Sequence, residues 1–81
     1  NMKEYAKKIL SDLTEENIHL KVKDLIDEIG NTNYVNSNQS ELMFILYNTL
    51  NPLKRDQGYS CTKCREKVFR WLVNYSNDKN N

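Results

Sequence analysis

Six consecutive apolar side chains, Leu42 to Tyr47, sit in the middle of an otherwise polar chain. Together with Leu50 they are apolar nearly all round a helix, and such a helix must be wrapped by others. This segment is therefore expected at the centre of the fold. Ser40 is placed to cap it, with Glu41 in its first turn. Pro52 disfavours helix at the residue before it, so the helix is expected to end near Asn51.

The flanking segments carry the spacing of helices that pack through one face. Met2, Tyr5, Ala6, Ile9, Leu10 and Leu13 recur at helical intervals and predict a helix over 2–13, with Lys3, Glu4, Lys7, Lys8 and Asp12 on its other face. Thr14 caps a second helix over 15–29, whose apolar stripe is Ile18, Val22, Leu25, Ile26 and Ile29. Leu20 lies off that stripe, and Gly30 suits a left-handed C-terminal cap. Residues 30–39 read as an Asn-rich loop, with Tyr34 and Val35 tucked under the core rather than exposed as a contact. Residues 52–60 form a second loop with Gly58 as its flexible point. Ser60 or Thr62 caps a last helix over about 61–76, where Cys61, Cys64, Val68, Trp71, Leu72 and Tyr75 make one stripe. The expected fold is all-α: a compact irregular bundle of about four helices, one domain over 1–76 with a frayed polar tail at 77–81.

Length and composition exclude much else. A chain of 81 residues has no room for a nucleotide-binding α/β domain, a barrel or a buried cofactor cavity. Two glycines and one proline leave no Gly-rich phosphate loop. No apolar run is long enough to span a bilayer and no signal peptide is visible, so a cytoplasmic protein is expected. No HExxH and no Ser/His/Asp arrangement is legible, and an enzyme is not expected. His19 reads as a surface residue, and Asp24, Asp27 and Glu28 as a solvated acidic helix face. No small-molecule substrate is implied.

The near-neutral total hides a dipolar chain. Residues 11–41 carry seven acidic against two basic side chains, whereas residues 54–70 carry six basic against two acidic. These patches either face each other, lie solvated, or mark a surface for an anionic partner. On the last helix Lys63, Lys67 and Arg70 share one face, preceded by Lys54 and Arg55, a pattern suited to phosphates. Side chains able to read adenine edges are missing from it, so binding would be weak and salt-dependent. Phe69 and Val73 lie off the cysteine–leucine stripe. Either they belong to a wide buried stripe on a helix packed from two sides, or with Tyr59 and Arg70 they form a candidate surface for a protein partner or a second copy, since aromatics and Arg are enriched in interfaces.

The Cys61-x-x-Cys64 pair fits three states. The plain expectation is two buried core thiols on the Trp71 face. A zinc ion would need four ligands, so it would have to be shared between the CxxC motifs of two chains. A redox-active or regulatory pair is the third, although no β-strand precedes the motif.

The stretch from Glu41 to Tyr75 resembles small helical proteins of tailed phages that infect Bacteroides-type bacteria. In those, a Leu-rich helix ending in a Tyr-Asn pair precedes a helix opening with Ser-Cys-x-x-Cys. The matching positions are Tyr47 and Asn48, then Ser60, Cys61 and Cys64, and they cover under half of the chain. The resemblance implies a phage accessory or structural protein in the cytoplasm of a bacterial host, without catalytic residues. The expected function is protein–protein interaction or self-association, with nucleic-acid binding as the alternative.

Overall fold

Residues 2–80 are described by a computed structural model, with side chains described from 4 to 79. The chain forms four helices: α1 (Met2–Asp12), α2 (Ile18–Thr32), α3 (Ser37–Leu50) and α4 (Thr62–Asn80). No strand occurs among the described residues. The central role of the apolar segment is realised: α3 touches α1, α2 and α4, and α2 also packs against α4. Met43, Phe44 and Leu46 of α3 are at most 1% exposed, and they meet Val22 and Leu25 of α2 and Val68 and Leu72 of α4. The radius of gyration is 11.8 Å, against about 12 Å for a close-packed chain of this length.

The helix ends differ from expectation for local reasons. Thr14 and Asn17 exchange hydrogen bonds: Asn17 Oδ1 accepts from the Thr14 amide at 2.9 Å and Thr14 Oγ1 from the Asn17 amide at 3.1 Å. Thr14 thus caps a turn, and regular helix begins only at Ile18. Gly30 does not terminate α2. The helix continues to Thr32 and stops where Asn33 turns left-handed (φ 55°), its amide bonding the Ile29 carbonyl. Asparagine tolerates that conformation, so the Asn-rich stretch supplied the stop one turn late.

Helix α3 begins earlier than Ser40. Asn36 is its cap, and Asn36 and Gln39 form a reciprocal capping box. The expected loop shrinks accordingly to residues 33–36. Neither Tyr34 nor Val35 tucks under the core: they are 68% and 37% exposed. Leu10, placed on the apolar stripe of α1, also faces solvent, while Tyr5, Ala6, Ile9 and Leu13 are half-buried. The side chains of Met2 and Lys3 lie outside the described residues.

Helix α4 runs past the expected stop at 76 as far as Asn80, so residues 77–80 of the expected tail are helical; Asn81 lies outside the described residues. Its cap is neither Ser60 nor Thr62. The Cys61 carbonyl accepts the first helical bond, from the Arg65 amide at 3.0 Å, and the Cys61 sulfur accepts from the Cys64 amide at 3.2 Å. Cys61 therefore does the work of a capping serine.

Candidate interaction groove

The loop between α3 and α4 is fixed by one buried side chain. Asn48 is 4% exposed, and its amide group pairs with both backbone groups of Asp56: Nδ2 donates to the carbonyl at 2.9 Å and Oδ1 accepts from the amide at 2.8 Å. Asp56 passes the restraint on. One carboxylate oxygen accepts from the Gly58 amide at 2.8 Å, and the other accepts from Lys67 on α4. The Lys67 ammonium, and then the Gly58 amide, hold the Asp56 carboxyl below the usual carboxylate range. Lys67 is raised in turn, chiefly by its bond to Asp56.

This anchored loop delivers Tyr59 to the top of the core. Its ring meets Phe44 with centroids 4.8 Å apart, yet the residue stays 40% exposed. The Arg65 guanidinium donates to the Tyr59 carbonyl at 2.9 Å and so ties the loop to α4. Between this loop, the first turns of α3 and the first half of α4 lies a groove of about 710 Å³. Met43 and Phe69 give it an apolar lining, with Val35 and Tyr59 at its sides and Glu41 and Glu66 supplying carboxylates. A shallower hollow of about 360 Å³ continues it through Glu66 and Phe69 to Arg70 and Val73.

The structure therefore brings together the residues singled out from sequence as a partner surface. Tyr59 and Phe69 line the groove, and Phe69, Arg70 and Val73 line its extension. Phe69 and Val73 are half-buried, because α4 packs from two sides and the buried stripe is wider than one face. Sequence reading missed the α3 side of the groove. Ser40 lines it, and the Ser40 hydroxyl is buried without a hydrogen-bond partner. Val35 was the available signal, one of two adjacent apolar residues, with Tyr34, in a polar connection.

The basic candidates fare unevenly. Lys54, Arg55, Lys63 and Arg70 are exposed, but Lys67 is engaged by Asp56 and lies over the Tyr47 ring at 5.6 Å. Among the described residues the acidic and basic halves do not pair across the molecule. Among the described residues the ion pairs are Lys23–Asp27 within α2 and Lys67–Asp56.

The cysteines are not two core thiols. Cys61 and Cys64 are joined as a disulfide, with Cys61 exposed and Cys64 half-buried against the core. Cys61 leaves the expected stripe because it precedes the helix rather than belonging to it. As a disulfide the pair presents no thiolate to a metal. No group of three or more His, Cys, Asp or Glu able to hold an ion occurs among the described residues. No helix among them is long and apolar enough to cross a membrane.

Compared with known proteins, the chain matches no family model, no curated protein and no solved structure.

Proposed function

We propose that this domain is a non-enzymatic protein-interaction module whose groove between α3 and α4 receives a short amphipathic segment of a partner protein. The observation that carries the reading is the continuity of the groove from Tyr59 through Phe69 to Val73. Charge narrows the occupant. Glu41 and Glu66 form no ion pair with a described residue, and of the cations near them Arg65 is fixed in place by donating to the Tyr59 carbonyl while Arg70 lies in the extension. A segment with apolar anchors flanked by Lys or Arg complements that lining. The resemblance of residues 41–75 to small phage proteins accords with an accessory or structural role in the cytoplasm of a bacterial host.

The nucleic-acid reading is supported by four exposed cations, Lys54, Arg55, Lys63 and Arg70. Against it, Asp56 neutralises Lys67 in the middle of that helix face, and Glu66 stands beside it.

Titration of labelled amphipathic peptides, basic, neutral and acidic, tests the proposal by fluorescence polarisation. The basic peptides are expected to bind, and Glu66→Lys to weaken them about tenfold, the loss of one well-placed charge contact. Phe69→Glu should abolish binding, with circular dichroism confirming that α-helix is retained. Indifference to peptide charge and to both substitutions would refute the proposal. Tighter binding of a duplex oligonucleotide than of any peptide would transfer the function to the basic face. Native mass spectrometry of the untagged protein shows whether the occupant is a second copy, which Phe69→Glu should then release.

A further inference from the structure

The interaction groove leaves the disulfide at its edge without a role. A four-residue CxxC loop contributes little as a staple, because it closes so short a stretch of chain. Its surroundings are those of a reactive pair. Cys61 occupies the cap position of α4, a helix of 19 residues, and its sulfur accepts the Cys64 amide at 3.2 Å. Unpaired amides and the helix dipole at that end favour negative charge, so a sulfur there is stabilised as thiolate. The two sulfurs are unequal in access. Cys61 is exposed, whereas Cys64 packs on the core and is covered by Gly58, where an added Cβ would lie 2.7 Å from the Cys64 sulfur. Charged groups on the surrounding elements are Lys63, Arg65, Glu66 and Lys67 in the first half of α4 and Lys54, Arg55 and Asp56 in the loop, with Lys67 and Asp56 paired. Ser60 and Thr62, on either side of Cys61, both line the groove, which sets the exposed sulfur at its rim and outside the lining itself.

We propose that Cys61 and Cys64 are a thiol–disulfide exchange site, with Cys61 the sulfur that is attacked and Cys64 the one that leaves. A thiolate of a dithiol reductant attacks Cys61 Sγ and forms a mixed disulfide. The Cys61–Cys64 bond breaks, and its electron pair goes to Cys64 Sγ, which takes a proton from solvent. The second thiol of the reductant then attacks its own sulfur in the mixed disulfide and releases Cys61 as thiolate. The chain gains two electrons and the reductant leaves as a disulfide. Run in reverse, the reduced pair gives those electrons to a disulfide. This exchange does not depend on which partner fills the groove.

The test uses the full chain in glutathione redox buffers, read by intact-mass spectrometry after rapid alkylation. The wild type is expected to interconvert between disulfide and dithiol without unfolding. With glutathione disulfide, Cys64→Ser should accumulate an adduct on Cys61, and Cys61→Ser should react at Cys64 about tenfold or more slowly, as access and thiolate character dictate. Equal rates, or a faster Cys64, would overturn the assignment. So would thiols that react only in denaturant, as core thiols do. A reduced protein that binds zinc between two chains and resists oxidation would make the pair a metal clasp instead. Glutathione and a cysteine-bearing basic peptide are compared at equal thiol concentration: faster exchange with the peptide assigns a polypeptide thiol, equal rates a free one.

Discussion

Helix α4 meets α3 along two seams, and they are finished differently. On one, Trp71 lies edge-on to Tyr47 with centroids 5.3 Å apart and stacks on Tyr75 at 5.4 Å, while Lys67 covers the Tyr47 ring. Every aromatic there has an aromatic or cationic neighbour. On the other, Phe69 and Tyr59 flank an open groove. Tyr59 touches Phe44 beneath it, and among the described residues no ring contact joins Tyr59 to Phe69. One helix thus presents aromatic side chains to a closed seam that stabilises the fold and to an open one that has contacts to offer. Trp71 is two residues beyond Phe69, about 200° round a regular helix, so stability and recognition lie on nearly opposite sides of α4 with Val68 and Leu72 between them.

That contrast is sharpest in paired truncations. Trp71→Ala is expected to cost about 2–3 kcal/mol, somewhat below the range for a fully buried Trp because the residue is half-buried. Phe69→Ala should cost about 1 kcal/mol, since much of its ring already faces the groove. Urea unfolding of both variants measures the difference; equal costs would mean that the two seams are equally packed. Total stability should lie on the order of 4–12 kcal/mol for this length, so both variants remain folded.

The open seam depends on the loop that carries Tyr59. Asn48→Ala removes both bonds to the Asp56 backbone and is expected to cost about 1–2 kcal/mol. Amide exchange should quicken at residues 56–61 more than in the Trp71 seam, and uniform quickening would deny the loop its separate anchor. Acid acts on the same anchor. The Asp56 carboxyl is lowered from 3.8 in the fold, so its contribution is complete above that value and is lost as pH falls below it. Lys67 is raised from 10.5, so its share is present below that value and is lost as pH climbs past it. Asp56→Asn should flatten the acid side of the pH–stability profile, measured by thermal melts, and an unchanged acid limb would contradict the pairing.

The smallest effect lies far from both seams. Gly30 is helical, with nothing within 4 Å of an added Cβ. Gly30→Ala is therefore expected to raise stability by about 0.5–1 kcal/mol. Gly58→Ala, which would crowd Cys64, should do the opposite; the two melts together check that the loop glycine is there for space.

Periodicity carried most of the fold. The stripes of α2 and α4 and the all-round apolar face of α3 were legible because burial repeats every turn. Boundaries were harder where several residues of one capping class compete. Ser40 was a valid cap by type, but Asn36 had Gln39 three residues on, and the reciprocal pair prevailed. Gly30 was a valid stop by type, but Asn33 could take the same conformation one turn later. Helical spacing set Phe69 and Val73 off the Val68–Leu72 stripe, and the fold places them half-buried beside the groove rather than on an open face. The wall supplied by Ser40 and Glu41 was not legible, since it depends on how α3 crosses α4. Nor was the Asn48–Asp56–Lys67 chain, whose partners are separated in sequence and joined only by the fold.

The most direct test of the open seam is a 15N-resolved NMR titration of the wild type with a basic amphipathic peptide. The account requires shifts that saturate at Val35, Ser40, Tyr59, Glu66, Phe69 and Val73, while Tyr47, Trp71 and Tyr75 hold still. Shifts centred on the Trp71 seam, or on Lys54, Arg55 and Lys63 alone, would contradict it.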